Sequence, residues 1–232
     1  WFFTITDYAV DLVAGLDDLD GWPDGVTEVQ RNWIGKQEGT SVGFEVGGHG
    51  TVDVFTTRLD TICGATFLAV SPGHDLARSL AEEDPAVASS LDAEQTEGDL
   101  SAVETDRTAT NPVTGEEIPV YVAAYVLDDV GTGAVMGVPG HIERDHAFAR
   151  ARDIPIRQVV EPAPDAEVRE VDVGAEAFTD DGLLVNSGDY DGLASAEVRD
   201  RLRSDLDSAS PETTYRLRDW LISRQRYWGT PI

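Results

Sequence analysis

The sequence predicts a mixed α and β fold, with a barrel-like β core and peripheral helices. Three observations lead there. Alternating apolar and polar runs crowd the middle of the chain, and amphipathic helical runs flank them. The glycine patterns of dinucleotide-binding and phosphate-loop folds are missing, and strands and helices do not alternate regularly. The chain has 232 residues and is 41% apolar, which is enough for a full core and argues against wholesale disorder. No window approaches about 18 unbroken apolar residues, so no membrane-spanning helix is expected.

The elements follow in order. Residues 4–20 carry Tyr8, Leu12, Leu16 and Leu19 at near-helical spacing, with Thr6 as the expected N-cap. GWPDG (21–25) breaks that helix, and a short polar segment leads to NWIGK (32–36). SVGFEV and TVDVFTT then alternate as strands joined by a hairpin turn at Gly47–Gly50. TFLAVS (66–71) is a further strand, and a helix is expected from Asp75 to Ala81. Residues 83–117 are polar and acidic and read as a surface excursion, with turns at Asn111-Pro112 and Thr114-Gly115. IPVYVAAYV (118–126) and GTGAVMGVP (131–139) are buried-strand candidates, the second with glycines that permit tight turns or close backbone approach. Helix is expected over 143–152, strand over 154–160, and loop with some strand over 162–173. A second amphipathic helix is expected over 194–206, with Val198, Leu202 and Leu206 at i, i+4 spacing. An arginine- and tryptophan-rich run closes the sequence.

The charge is extreme: 44 Asp and Glu against 17 Lys and Arg give −27. The acids are spread along the chain, and Lys36 is the only lysine. Such a surface repels itself at low salt. At molar salt the Debye length shrinks to about 3 Å and the repulsion is mostly screened. The pattern therefore fits a cytoplasmic protein of a salt-accumulating halophile better than an acidic module for a basic partner. Acidity would ordinarily argue against nucleic-acid binding, but molar salt weakens phosphate attraction for any protein. One cysteine, Cys63, allows no internal disulfide, and a structural zinc site is not expected without further cysteines. The chain starts at Trp1 and its one methionine is Met136, so a fragment of a longer protein is expected, without a signal peptide.

Two segments carry chemistry. TTRLDT (56–61) packs three hydroxyls, a guanidinium and a carboxylate into a strand end. GTGAVMGVPGHIERDHAFA (131–149) is a strand ending in Pro-Gly, followed by a helix start rich in His141, Glu143, Arg144, Asp145 and His146. A carboxylate in the first turn is favoured by the helix dipole, so Asp145 is expected to stay ionised and able to anchor an ammonium. The plain alternatives are an acid that only partners the helix dipole and threonines that only build a turn. His141, His146 and Asp145 as a metal set, and Cys63 as a nucleophile, are the weaker readings.

Together these segments resemble the leucyl-tRNA synthetase family. The resemblance rests on TTRLDT followed by Gly64, on GTGAVMGVPGH followed by Arg144-Asp145, and on LISRQRYWGTPI. WFFTITDYA, RNWIGK and GLLVNSGDYDG support it, so it spans nearly the whole chain. TTR alone is shared with the isoleucyl and valyl enzymes; Asp60-Thr61 favours leucyl. The resemblance implies the editing insertion over 34–220, an entry hinge and flanking helix over 1–33, and a return into the catalytic domain over 221–232. It implies the β core with peripheral helices of those editing domains. The synthetic-site signatures HIGH and KMSKS are absent, so ATP and Mg belong to the full-length ligase, and editing is expected to need no cofactor and no metal.

The implied activity is hydrolysis of wrongly charged tRNA(Leu). The implied partners are its 3′ end carrying a noncognate amino acid and the catalytic body of the same chain, with no membrane and a monomeric state. By the resemblance, Asp145 binds the substrate ammonium, Thr61 blocks the leucine side chain, and Thr56 and Thr57 lie beside the reacting ester. Arg58 and Arg144 orient the substrate or contact phosphate, and Met136 and Val138 shape the pocket wall. Two positions depart from the family pattern: Leu59 stands where proline is usual, and Ile142 where an acid is common. The alternatives are an isoleucyl or valyl editing domain, and a non-catalytic docking module for tRNA or protein.

Overall fold

The computed structural model describes residues 2–91, 100–128, 131–164, 166 and 171–221. In chain order its elements are β1 (Phe2–Phe3), α1 (Ala9–Gly15), α2 (Asp24–Ile34), β2 (Lys36–Val46), β3 (Gly50–Thr56), β4 (Phe67–Val70), α3 (Asp75–Ala81), α4 (Pro85–Ser90), β5 (Ala102–Thr110), β6 (Glu117–Ala123), β7 (Ala134–Gly137), α5 (Glu143–Ala151), β8 (Val160–Glu161), β9 (Leu183–Leu184), α6 (Ser195–Asp205), β10 (Ala209–Tyr215) and β11 (Trp220–Leu221). The chain forms two compact units. One is residues 1–38 with 213–232, the other residues 39–212.

The first unit holds α1 and α2, and β1 pairs antiparallel with β11 through Phe2–Leu221 and Phe3–Trp220. The helix expected over 4–20 is three pieces: 3-10 turns at Ile5–Tyr8 and Leu16–Asp18 around α1. Thr6 does not cap it; its hydroxyl donates to the Asp219 carboxylate at 2.7 Å. Tyr8 and Leu12, on the expected inner face, are exposed. The polar stretch after the Pro23 break is the helix α2, whose carbonyl at Arg31 accepts from Gly35 at 2.8 Å. Gly35 takes φ +62, a left-handed stop that a side chain would resist.

The second unit is built on a mixed sheet in the order β10-β2-β5-β6-β4-β7, with β3 also paired to β2. β2 and β3 form the expected hairpin, in register from Thr40–Thr56 to Val46–Gly50. β4 runs parallel to β6 and antiparallel to β7. The mixed class with peripheral helices holds, but among the described residues hydrogen bonds do not close the sheet into a barrel. Val42, Phe44, Val54, Leu68 and Val120 are wholly or almost wholly buried in its main core. A second cluster stacks Phe67, Tyr121, Tyr125 and Phe148 on the other side.

Two expectations fail here. The acidic excursion contains α4 and then β5, a strand inside the sheet between β2 and β6. Its sequence AVETDRTAT looks like loop because only Thr105 and Ala109 are buried, and ladder hydrogen bonds supply the rest. The expected turn at 111–115 does close the β5–β6 hairpin: the Asn111 side chain accepts from Val113 and Thr114 N–H groups. The strand expected over 154–160 is reduced to Val160–Glu161. Pro155 brings no N–H, and the Val159 and Val160 amides donate to the His141 ring rather than to a ladder.

Candidate functional site

β3 ends at Thr56 and the chain turns into a 3-10 helix, Leu59–Gly64, all of whose residues are buried. The Thr56 hydroxyl accepts the Arg58 N–H at 3.0 Å. The Thr61 hydroxyl donates to the Arg58 carbonyl at 2.8 Å. That bond fixes a stiff β-branched side chain, which has no exposed surface. Thr57 is exposed and Thr56 half-buried.

Asp60 has no exposed surface. Arg58 approaches its carboxylate at 3.2–3.3 Å, and Arg199 of α6 donates to it at 3.1 Å. Arg199 also grips Asp181 with two bonds of 2.9 and 2.7 Å. That grip holds the Asp181 carboxyl below its ordinary value. Arg58 further donates to the Thr179 and Asp180 carbonyls. The buried Asn111 amide donates to the Ile62 carbonyl at 2.8 Å.

Asp145 lies in the first turn of α5, also with no exposed surface. Its carboxylate accepts the Val138 N–H at 2.9 Å and has the Arg144 Nε at 3.5 Å. Burial pushes its carboxyl up from the ordinary value, while Arg144 and then the Val138 N–H pull it back. The dominant influence is thus burial, opposite in sign to the helix-dipole effect expected from sequence. The Arg144 guanidinium sits 4.7 Å above the Tyr125 ring. Tyr125 is buried, and among the described residues its hydroxyl has no hydrogen-bond partner. Burial first, then the nearby Asp145 charge, pushes its phenol up.

Gly64 brings the two segments together. A Cβ there would lie 2.8 Å from Val159 and 3.4 Å from Val138. The threonine turn therefore packs on the residue whose amide holds Asp145. Val138 and Met136 are both buried, and both side chains belong to the main core.

His141 and His146 face backbone. The His141 Nδ1–H donates to the Phe178 carbonyl at 2.9 Å, and Nε2 accepts from Val159 at 2.9 Å and Val160 at 3.2 Å. Burial lowers its pKa, in keeping with this neutral role. The His146 Nε2–H meets the Val173 carbonyl at 3.1 Å. Two surface cavities, of about 450 and 360 Å³, share Cys63, Thr114 and Asn186. Neither is lined by Thr61 or Asp145. Burial pushes the Cys63 thiol up, which disfavours a reactive thiolate there. The better candidate site is the threonine turn with the Asp145 segment it packs on.

Sequence reasoning missed Arg199, Asn111 and Tyr125. Arg199 lies 139 residues from the Asp60 it pairs with, so no local pattern exposes it. The LISRQRYWGTPI motif lies, beyond Leu221, outside the described residues.

A model of the family "Leucyl-tRNA synthetase, editing domain" matches residues 31–207. A leucine–tRNA ligase of Halobacterium salinarum is 53% identical over all of this chain and 26% of its own length. One from Alcanivorax borkumensis is 45% identical over all of this chain and 30% of its own. A solved ternary complex of the Agrobacterium radiobacter K84 agnB2 leucyl-tRNA synthetase with tRNA and LeuAMS matches at TM-score 0.72 and 37% identity, covering 99% of this chain and 26% of that one. The chain spans less than a third of the length of these relatives.

Proposed function

The chain belongs to the leucyl-tRNA synthetase editing-domain family, and from that premise we propose that it hydrolyses the ester of misacylated tRNA(Leu) after transfer. The observation that carries this is Asp145: a carboxylate with no exposed surface, held by one backbone N–H and one distant guanidinium, beside a threonine turn. A carboxylate offers roughly four acceptor sites, so acceptor capacity remains for a substrate ammonium.

In this reading Asp145 fixes the α-ammonium of a noncognate residue such as norvaline or isoleucine. The Thr61 methyl excludes the leucine side chain. Thr56 and Thr57 contact the terminal adenosine or the attacking water, and Arg58 and Arg144 assist orientation. Met136 and Val138 back the pocket from the core. A water oxygen, helped by the ribose hydroxyl, attacks the ester carbonyl, and the bond to the ribose oxygen breaks. Free amino acid and a tRNA 3′ hydroxyl leave. No protein nucleophile, metal or cofactor is used; orientation and electrostatics supply the rate. A second sieve is warranted because one methylene is worth only about 1–3 kcal/mol at a first.

The catalytic body is the second proposed partner. Among the described residues the exposed large hydrophobics, including Phe2, Phe3, Tyr8, Trp22 and Trp33, all lie within residues 2–33. This is the surface we assign to the rest of the synthetase, which would carry the ATP and Mg chemistry. The acidic coat sets the medium, a salt-rich cytoplasm.

The test is hydrolysis of norvalyl-tRNA(Leu), with leucyl-tRNA(Leu) as control, in molar KCl by the full-length synthetase. Loss with Asp145→Ala, and new attack on leucyl-tRNA with Thr61→Ala, are expected. A folded, tRNA-binding enzyme that leaves both esters intact overturns the reading in favour of a docking module.

A further inference from the structure

Thr61 can discriminate by size only if the turn beneath it is fixed, because a wall that gives by a fraction of an ångström accepts one more methyl. Local hydrogen bonds to Arg58 supply part of that stiffness. Leu59 has no ring to fix its φ, and Gly64 ends the turn. The rest comes from elsewhere. Asp60, next to Thr61 and with no exposed surface, is the centre of a charge cluster that reaches three segments. Arg58 ties it to the 179–180 carbonyls, and Arg199 ties it to α6 and to Asp181. The Arg58 and Arg199 side chains are each only 18% exposed, so water competes little for these bonds. Asp181 uses both its oxygens on Arg199, which presets the guanidinium plane and leaves Nη1 shared with Asp60. Arg58 is thereby tethered, and its carbonyl is the acceptor of both the Thr61 N–H, at 3.0 Å, and the Thr61 hydroxyl, at 2.8 Å. A continuous path of hydrogen bonds runs from α6 to the rotamer of Thr61.

We propose that Arg199 is a positioning residue for substrate discrimination: through Asp60 it sets the place of Thr61 and so decides that leucine is refused. This rests on the editing reading above. Arg199 touches no substrate in this scheme, so its loss changes selectivity more than chemistry. Asp145, which holds the ammonium in that reading, is anchored by the Val138 N–H and not by this charge cluster.

The experiment compares kcat/KM for leucyl- and norvalyl-tRNA(Leu) in the full-length synthetase. The variants are Arg199→Gln, Arg199→Lys, Asp181→Asn and Arg201→Gln. Arg201 lies on the same helix but pairs with the partly exposed Asp205, so it controls for lost charge. Arg199→Gln is expected to raise leucyl relative to norvalyl hydrolysis by about tenfold, a share of what one methylene is worth in selectivity. Norvalyl hydrolysis itself should change little. Arg199→Lys, which keeps the charge without the fork, and Asp181→Asn, which leaves the Asp60 contact, should fall between Gln and wild type. An unchanged ratio in Arg199→Gln overturns the proposal. So does a parallel fall for both esters, which is the mark of a merely structural residue. Should Arg199→Gln fail to fold, an unchanged ratio in Asp181→Asn and Arg199→Lys overturns it equally. A wild type that cleaves neither ester removes the editing reading and this inference with it, and that failure is visible before any variant is made.

Discussion

Two aspartates in this molecule are equally hidden and differently furnished. Asp60 and Asp145 each have no exposed surface and each sits at the start of a helical turn. Asp60 is met by two guanidiniums at 3.1–3.3 Å. Asp145 has one backbone N–H and an Arg144 nitrogen at 3.5 Å. A saturated buried carboxylate is structural, because every acceptor is already used. An unsaturated one holds a charge that something else must complete. In the proposed function this difference, more than either motif's composition, separates scaffold from candidate binding site.

The comparison breaks most visibly when each is made neutral in turn. Asp145→Asn should cost about 2–5 kcal/mol in kcat/KM for norvalyl-tRNA hydrolysis, the range for losing one partner of a buried charge pair. Its folding free energy should move far less, since burial already disfavours the charge. Asp60→Asn should do the reverse. It removes the buried anion that joins Arg58 to Arg199, leaving Arg199 only the partly exposed Asp181, and should lower stability by up to about 3–5 kcal/mol. Urea unfolding in molar KCl and single-turnover hydrolysis, run on both variants, give the four numbers. Equal losses in all four would erase the distinction.

The pH profile sharpens it next. In the proposed mechanism the ionised Asp145 binds the ammonium, and burial raises its pKa. Hydrolysis should therefore fall on the acid side at a pH above the ordinary aspartate value. Arg144 favours the ionised form, so Arg144→Gln should move that acid limb to higher pH. For stability the sign is opposite: a raised carboxyl in the folded state binds protons more readily than in the unfolded one. Its contribution is thus present at low pH and lost as pH rises through the folded value. His141 works the other way. Its lowered pKa means that the unfolded chain takes up the proton first, so its contribution is lost as pH falls below about 6.5. An acid limb that ignores Arg144→Gln would remove Asp145 as its source.

How far the sequence foretells this depends on where the partners sit. The β2–β3 hairpin and α3 are legible because alternation, glycine pairs and helical spacing act over a few residues. The threonine turn and the start of α5 are legible for the same reason. β5 is not, because a strand paired on both sides needs little apolar surface to be stable. The segment before Val160 looks like a strand, but its amides are spent on a histidine 18 and 19 residues earlier. Asn111 reaches Ile62 over 49 residues, and Arg199 reaches Asp60 over 139. Local pattern can thus nominate Asp60 and Asp145 alike, but it cannot say which is saturated.

The smallest expected effect tests the ground beneath Asp145. Tyr125 packs edge-on against Phe148, with centroids 5.3 Å apart, and lies under the Arg144 guanidinium. Its ring is used; its buried hydroxyl has no partner among the described residues. Tyr125→Phe keeps the ring, the stacking and the cation–π contact, and removes only that hydroxyl. An unsatisfied buried hydroxyl costs about 1–3 kcal/mol in desolvation. Its deletion should therefore leave the folding free energy unchanged or raise it by up to about 1 kcal/mol, read from urea midpoints at constant m. The acid limb of hydrolysis should stay where it is, because the phenol is neutral throughout that range. A loss of more than about 1 kcal/mol would mean that the hydroxyl is hydrogen-bonded in solution. A shift of the limb would make Tyr125 a third partner of Asp145, and the carboxylate would be less open to a substrate than its two contacts imply.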